Sequence, residues 1–274
     1  MLSDAEFAFV AREVKARSGA LLSRETVGPA ESRLAPLARR EGFGSVSEFL
    51  HAARTRQDGK LIGALADALV QTETRFFRDK AGFERLRTLI LPELQARRGG
   101  ERVRIWSAGC STGQEPYALA MMVEAMRAEG FPGAEIVASD LSERLLDKAR
   151  SGLYTQFEVQ RGLPIRKLIE HFEKVADLWR ISDRMRASVK FESHNLLQHA
   201  GAIASAPFDV IVCANVMTSF DPATRAATLE RLADALTPGG VLMLGAGEAA
   251  PEGLECYALE AGVIRRTKST RRAA

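Results

Sequence analysis

Residues 104–117 read Arg-Ile-Trp-Ser-Ala-Gly-Cys-Ser-Thr-Gly-Gln-Glu-Pro-Tyr. An apolar strand pattern runs into a turn of small residues, and a long helix pattern begins directly after it. Gly109 and Gly113 allow a tight turn and a close approach of the backbone to a ligand. Glu115 lies in the first turn of the helix, where a carboxylate can face a cationic group but would repel a phosphate. The stretch therefore predicts a site for S-adenosylmethionine rather than for a nucleotide phosphate.

The pattern around this stretch alternates between strands and helices. Alternation of this kind predicts an α/β fold with a parallel sheet, helices on both faces and a binding site at the carboxyl ends of the strands. Short extended segments at about 172–191 interrupt the alternation and predict a small antiparallel β-subdomain. The predicted strands are Val103–Trp106, Ala134–Ser139, Val189–Glu192, Phe208–Cys213 and Gly240–Leu244, and the predicted helices between them are Glu115–Glu129, Ser142–Arg150 and Pro222–Leu236.

The first seventy residues predict a separate all-α domain. Ser3 with Glu6, and Ser45 with Glu48, have the spacing of helix capping boxes ahead of apolar residues. Residues 61–70 are typical of a linking helix. We therefore expect a helical domain over 1–70 and the cofactor-binding domain over 71–274.

Composition excludes several classes of protein. The chain has 274 residues, of which 46% are hydrophobic and 27% charged, and a formal net charge of +3. These values are typical of a globular protein and give no argument for nucleic-acid binding. Three widely spaced cysteines match no metal-ligand pattern and predict free thiols in a reducing compartment. Since neither a signal peptide nor an apolar run of membrane-spanning length is seen, we expect a cytoplasmic protein without a metal site or membrane insertion.

A second acid follows the next predicted strand. Asp140 stands at the end of Val137-Ala138-Ser139, at a distance from the glycine loop that suits an acid binding the two hydroxyls of a ribose. The alternative is an N-cap for the following helix, for which Ser142 is an equal candidate. A nicotinamide cofactor fits less well, because the loop lacks the G-x-G-x-x-G spacing.

At these residues the chain resembles the chemotaxis receptor methyltransferases of the CheR type, over nearly its whole length. Residues 74–78 match the family's T-x-F-F-R element, and residues 109–117 match its G-C-S-T-G-E-E-P-Y loop except at Gln114. Asp140 matches the strand-end aspartate, and Asn195-Leu196 matches the N-L pair after the third strand. Residues 213–221 match C-R-N-V-x-I-Y-F-D only in part.

The resemblance implies a Rossmann-like S-adenosylmethionine-dependent methyltransferase that methylates glutamate side chains of chemoreceptors and releases S-adenosylhomocysteine. It implies that Arg78 positions the substrate carboxylate or the reactive end of the cofactor, and that Ser219 stands where the family's tyrosine lies near the transferred methyl group. The cofactor-binding residues that it implies are Thr72, Thr74, Arg78, Gly109, Glu115, Asp140, Asn195, Leu196, Ala214 and Asn215.

The resemblance also implies partners. Receptor helices with acidic methylation sites would face the basic residues Arg33, Arg39 and Arg40. The segment 175–179 lacks the glycine-rich loop with which some members bind a receptor's C-terminal peptide, so we expect no such tether. Residues 215–218 lack the polar-Pro-Pro-aromatic motif typical of amide-methylating enzymes, which argues against nucleic-acid substrates.

Departures from the family pattern leave two alternatives open. Ser219 and Ala214 replace a tyrosine and an arginine, which would weaken catalysis more than cofactor binding. The first alternative is therefore a catalytically impaired relative that binds S-adenosylmethionine or S-adenosylhomocysteine as a regulatory module. The second is a small-molecule methyltransferase, against which the helical N-terminal domain argues.

Overall fold

The computed structural model describes residues 2–70, 73–199, 203, 207–248, 257–260 and 263–266. The chain divides into two compact units. One unit comprises the residues up to 71 together with 217–227, and the other comprises 72–216 together with the chain from 228 onwards. The sequence analysis assigned residues 217–227 to the second domain, whereas their backbone is bonded to the helical unit.

The first unit is a helical bundle, as predicted. Its helices are α1 (Asp4–Ser18), α2 (Arg24–Arg40), α3 (Val46–Arg56) and α4 (Gly59–Leu69). Ser3 and Glu6 form a complete capping box at α1, and Ser45 caps α3 through the backbone N–H of Glu48. The predicted linking helix is α4, and it packs on α1 and α2. The fully buried core side chains of this unit include Val10, Val14, Leu34, Phe49, Ala53 and Leu65.

Residues 217–227 join this unit through contacts with the loop after α1. Ala20 and Phe220 form an isolated antiparallel bridge, and the Leu21 backbone N–H donates to the Ser219 carbonyl oxygen at 2.8 Å. Lys15 forms an ion pair with Asp221 at 3.1 Å. These bonds explain why residues 217–227 belong to the helical unit, although the residues before them in sequence belong to the unit that contains the sheets.

The second unit contains a seven-stranded sheet and a three-stranded sheet. The strands are β1 (Val103–Ala108), β2 (Ala134–Asp140), β3 (Leu153–Thr155), β4 (Phe172–Val175), β5 (Leu178–Ile181), β6 (Val189–Ser193), β7 (Phe208–Cys213), β8 (Leu236–Leu244), β9 (Tyr257–Glu260) and β10 (Val263–Arg266). The large sheet has the order β6-β2-β1-β7-β8-β10-β9, and its first five strands are parallel to one another. This Rossmann-like arrangement confirms the predicted α/β fold.

Further helices in the described part of the chain precede or separate these strands in sequence. They are α5 (Lys80–Arg85), α6 (Leu91–Arg97), α7 (Gln114–Arg127), α8 (Glu143–Ser151), α9 (Gln156–Gln160), α10 (Ile165–His171), α11 (Asp183–Ala187) and α12 (Pro222–Asp234), with a π-helical turn, Leu86–Ile90, between α5 and α6. Both α7 and α8 pack on β2 and β6, and α6 packs on β1. Of the helices in the described part of the chain, none combines the length and apolarity needed to cross a membrane.

The small sheet confirms the predicted antiparallel β-subdomain but corrects its composition. Its order is β3-β5-β4, and all pairs are antiparallel. The sequence analysis missed β3, because three residues are too few for a period-2 pattern to be recognised. The segment 187–189, which was expected to be extended, instead ends α11 and begins β6 of the large sheet.

Candidate functional site

The loop between β1 and α7 is held against the neighbouring strands. The backbone N–H groups of Gly109 and Cys110 both donate to the Ser139 carbonyl oxygen at 2.8 Å. Gly109 has φ +76, and a Cβ there would lie 2.5 Å from the Val216 side chain. The loop therefore approaches the chain that follows β7 so closely that a larger residue would push the two apart.

Glu115 is the acid at the start of α7, and its surface is only partly exposed. The Ser107 hydroxyl, which is fully buried in β1, donates to its Oε1 at 2.8 Å. Desolvation raises the pKa of Glu115 to about 7, while the Ser107 hydrogen bond and the charge of Arg78 act to lower it and the charge of Glu248 acts to raise it. No arginine or lysine in the described residues forms an ion pair with this carboxylate. A cationic ligand group would therefore find a desolvated acid here without a counterion.

Asp140 lies at the carboxyl end of β2, beside the glycine loop. Its Oδ2 accepts the backbone N–H of Ser111 at 2.8 Å, and its Oδ1 accepts that of Ser142 at 3.0 Å. Ser111 has a positive φ of +51, a strained conformation that the bond to Asp140 stabilises. The N-cap residue of α8 is Ser142 rather than Asp140. The geometry thus leaves Asp140 as a fixed acid at the strand tip, which suits ribose binding.

The Thr74–Arg78 segment is anchored by Phe76. This ring is fully buried and makes edge-to-face contacts with Tyr154 at 5.2 Å and Phe172 at 5.7 Å between centroids. Thr74 is half-buried, while Arg78 is exposed and donates from Nη1 to the Glu73 carbonyl oxygen at 3.0 Å. Arg78 is close enough to Glu115 to influence its pKa. Thr72 lies outside the described residues.

Asn195 and Leu196 follow β6, and both are half-buried. The Asn195 Oδ1 accepts the Leu197 backbone N–H at 3.0 Å, so the turn is stabilised by its own side chain. The His194 backbone N–H donates to the Asp140 carbonyl oxygen at 3.0 Å. This bond places the Asn195 turn next to the end of β2.

Glu248 is not among the site residues predicted from the sequence. Its Oε2 accepts two backbone N–H groups, from Asn215 at 2.8 Å and from Gly245 at 2.7 Å, and so joins the carboxyl ends of β7 and β8. Asn215 adopts φ +61. Oε1 of Glu248 is buried and has no hydrogen-bond partner among the described residues. Acids that follow a strand by a few residues are common in sequences. The pattern around Glu248 therefore does not predict that its side chain connects the ends of β7 and β8.

The three residues that differ from the family pattern lie in different parts of the structure. Gln114 is buried, and the Thr112 hydroxyl donates to its amide oxygen at 2.8 Å, so a neutral amide is accommodated beside Glu115 without burying a second charge. Ala214 is half-buried directly after β7. Ser219 ends a short 3₁₀ helix, Met217–Ser219, in the first unit, where its carbonyl oxygen accepts the Leu21 N–H.

Gly109, Glu115, Asp140, Asn195, Leu196, Ala214 and Asn215 thus lie at or after the carboxyl ends of the parallel strands β1, β2, β6 and β7. Thr74 and Arg78 lie in the segment before α5, and of these two Arg78 is close enough for its charge to act on Glu115. No group of three or more His, Cys, Asp or Glu side chains suited to a metal ion occurs among the described residues. A nucleoside with a cationic amino-acid tail fits this set, because the strand-tip acid can accept hydroxyls and the desolvated Glu115 can pair with an ammonium group.

This fold and site define the class of S-adenosylmethionine-dependent methyltransferases. The family model for the CheR methyltransferase, SAM binding domain, matches residues 72–260, which is more than half of the chain. The chain belongs to the CheR methyltransferase family. It is 36% identical over 245 residues to chemotaxis protein methyltransferase 1 of Pseudomonas aeruginosa, covering 86% of this chain and 88% of that protein.

Two further relatives agree over a similar length. Chemotaxis protein methyltransferase Cher2 of Pseudomonas putida is 33% identical over 91% of this chain and 93% of its own length. Chemotaxis protein methyltransferase 1 of Vibrio cholerae is 34% identical over 90% of each chain. The similarity thus includes the helical first unit as well as the sheet domain.

Proposed function

We propose that the chain methylates glutamate side chains of chemoreceptors in the cytoplasm, giving glutamate methyl esters and S-adenosylhomocysteine. Membership of the CheR family and the names of the relatives support a chemotaxis substrate. The observation that carries the proposal is a pair of acids: Glu115 at the start of α7, which has no ion pair among the described residues, and Asp140 at the end of β2, which is fixed by two backbone N–H groups. When bound, S-adenosylmethionine supplies an activated methyl group on a sulfonium.

A glutamate acceptor suits the chemistry of these residues. A carboxylate with an ordinary pKa of about 4.3 is already ionised at neutral pH, so no general base is required. The work left to the protein is to align the acceptor and to keep water from it. We assign the alignment to Arg78, whose exposed guanidinium can form a bidentate pair with a carboxylate.

Within the proposed site, Asp140 accepts the ribose hydroxyls and Glu115 accepts the ammonium group. Asn195 and Asn215 are half-buried and carry amide groups that can form hydrogen bonds to the rest of the nucleoside. Leu196, Ala214, Thr72 and Thr74 complete the proposed set of cofactor-binding residues. Gly109 permits the close approach of the loop. Ser219 stands where the family has tyrosine, and Ser219→Tyr tests whether a ring at this position raises kcat.

The proposed partner is the acidic methylation helix of a receptor. Arg39 and Arg40 lie in the last turn of α2 and are exposed, and Arg33 is exposed one to two turns earlier, which supports a basic face for that partner. The β4–β5 hairpin closes through two residues, Ala176 and Asp177, and has no glycine-rich loop. This tight turn supports methylation without a C-terminal peptide tether.

Transfer of a labelled methyl group to receptor-containing membranes tests the function. We expect label on the receptor that is released as methanol in mild base, because carboxyl esters hydrolyse there and methylated amines do not. Receptors with glutamine at the methylation sites are the matched control and should accept no label. Base-stable label, or no measurable affinity for S-adenosylhomocysteine, would contradict the proposal.

A further inference from the structure

A group of large apolar side chains is exposed on α9 and α10 of the second unit. Phe157 is 66% exposed, Ile165 is 70% exposed and Ile169 is 75% exposed. Ile165 and Ile169 are four residues apart on α10 and therefore share one face of that helix. Their neighbours Val159 and Leu168 are buried in the core, so the two short helices are anchored while these three side chains point outward. We call Phe157, Ile165 and Ile169 with the intervening residues the α9–α10 surface.

Basic side chains accompany the apolar ones. The Arg161 guanidinium lies over the Phe157 ring at 5.3 Å from its centroid, and Arg166 is exposed between the two isoleucines. Lys167 is next to it, although it is paired with Glu170 at 3.4 Å. Glu158 is paired with Lys148 and so adds little negative potential. Arg161 is itself paired with Glu73, so the exposed positive charge of the surface is carried mainly by Arg166. The surface thus combines apolar area with an exposed cation, which complements an amphipathic helix with acidic residues.

The α9–α10 surface is linked to Arg78 through one residue. The Glu73 carboxylate forms an ion pair with Arg161, and the Glu73 carbonyl oxygen accepts from Arg78 Nη1 at 3.0 Å. A helix that offers a carboxylate to Arg78 would therefore be separated by a single residue, Glu73, from Arg161 and the Phe157 ring that its guanidinium covers. Because the α9–α10 surface is next to Arg78, the residue proposed to align the substrate, the helix that carries the substrate glutamate is the partner that this surface is expected to bind.

We propose that the α9–α10 surface binds the apolar stripe of the acidic amphipathic helix that carries the methyl-accepting glutamate. The proposal rests on the proposed function for the identity of the substrate. It adds a docking site in the second unit that is distinct from the basic residues of α2. Ile165 and Ile169 supply the apolar contact, and Arg166 pairs with an acidic residue of the partner.

Binding of a helix can be measured independently of methyl transfer. The probe is a fluorescein-labelled acidic amphipathic peptide with leucines at i, i+3 and i+4 spacing, and the readout is its anisotropy with the full chain. We expect Ile165→Ser with Ile169→Ser to weaken binding at least tenfold, and Arg166→Glu to weaken it further at low salt than at high salt. Leu89→Ser is the matched control, since Leu89 is also exposed, at 53%, but lies on the π-helical turn.

The same variants are then compared in methyl transfer to receptors. We expect a higher KM for the receptor in the double variant, with kcat and S-adenosylhomocysteine affinity unchanged. Equal peptide affinity in the double variant and the Leu89→Ser control would overturn the docking proposal even if receptors are methylated. A concentration-dependent dimer that the double variant dissociates, with peptide affinity unchanged, would assign the surface to a second copy of the chain instead. Peptide binding without receptor methylation would contradict the proposed function and, with it, the identity of the docked helix.

Discussion

Two acids at opposite edges of the large sheet have opposite surroundings. Asp209, at the amino end of β7, is only 3% exposed and accepts from Arg98 at 3.0 Å, from the Arg104 backbone N–H at 2.8 Å and from the Thr237 hydroxyl at 3.1 Å. Glu115, at the carboxyl edge, is more exposed and receives the Ser107 hydroxyl without an ion pair from the described residues.

The difference separates a structural acid from a binding acid. A buried carboxylate is stable when the protein itself supplies a cation and hydrogen bonds, as Arg98 and its neighbours do for Asp209. Glu115 has no ion pair among the described residues, so desolvation outweighs the charge of Arg78 and the pKa of Glu115 rises to about 7. The carboxyl edge therefore keeps a charge that a ligand, rather than the chain, can neutralise.

The largest expected effect is on stability at the amino edge. Asp209→Ala removes the buried partner of Arg98 together with the shared acceptor of the Arg104 backbone N–H and the Thr237 hydroxyl, and we expect the free energy of unfolding to fall by about 3–5 kcal/mol in urea titrations. Glu101→Ala is the matched control, because Glu101 also pairs with Arg98 but is 75% exposed, and its loss should cost under about 1 kcal/mol. Similar losses of unfolding free energy in both variants would mean that Asp209 stabilises the fold no more than an exposed acid does. The distinction between a structural acid at one edge and a binding acid at the other would then fail.

The next largest effect is on the affinity for S-adenosylhomocysteine at the carboxyl edge of the sheet. Asp140→Ala removes the acceptor proposed for the ribose, and we expect calorimetry to show about 10- to 100-fold weaker binding of S-adenosylhomocysteine, since a hydrogen bond to a charged group contributes about 1.5–3 kcal/mol. Asp147→Ala, at an exposed site on α8, should leave affinity unchanged. An Asp140 variant with the affinity of the unmodified chain would argue against ribose binding.

Affinity should also depend on pH through Glu115. Below pH 7 the free protein holds this side chain protonated, and a neutral acid cannot pair with an ammonium group. Since only the ionised form binds well, we expect affinity for S-adenosylhomocysteine to rise about eightfold from pH 6.0 to 7.5, while the ligand's own amino group stays mostly protonated. Glu115→Gln should bind more weakly and lose this dependence. A rise that persists in the Gln variant would assign the titration to another group.

The smallest effect is on the pH dependence of binding, through the Ser107 hydroxyl that donates a hydrogen bond to Glu115. Ser107→Ala removes a bond that favours the ionised carboxylate, so the midpoint of the pH dependence should move upward by about one pH unit. Binding at pH 7.0 would then weaken about fivefold, while the unfolding free energy changes little. The check is the same calorimetric titration over pH. A downward shift of the midpoint would mean that Ser107 stabilises the protonated acid instead.

Much of the sheet domain could be predicted from local patterns. The strands around Ile105, Ile136 and Val210 have apolar runs bounded by glycine or acidic residues, so β1, β2 and β7 are confirmed within a few residues of their predicted ends. The predicted helices α7 and α8 are confirmed equally closely. The site residues remain predictions, but two acids could be singled out, because Glu115 follows a strand and a small-residue turn and Asp140 ends the next strand.

Other parts of the site are long-range contacts that leave no local signal. Ser107 is one of several small residues in β1, and only its packing against the start of α7 places its hydroxyl on Glu115. Glu248 joins two strand ends by backbone bonds that cross 33 residues of sequence. Residues 217–227 have the pattern of the sheet domain that they follow, yet their bonds to Lys15, Ala20 and Leu21 place them in the helical unit.

The sequence by itself determined the alternation of strands and helices, the glycine loop and the family, because these depend on residue type and spacing along the chain. Only the tertiary structure decided which acids have counterions and which segments share a unit, since desolvation and charge pairing depend on neighbours that are distant in sequence. The same holds for the exposed face of α10, where local spacing predicts an apolar stripe and only the packing around it leaves Ile165 and Ile169 uncovered.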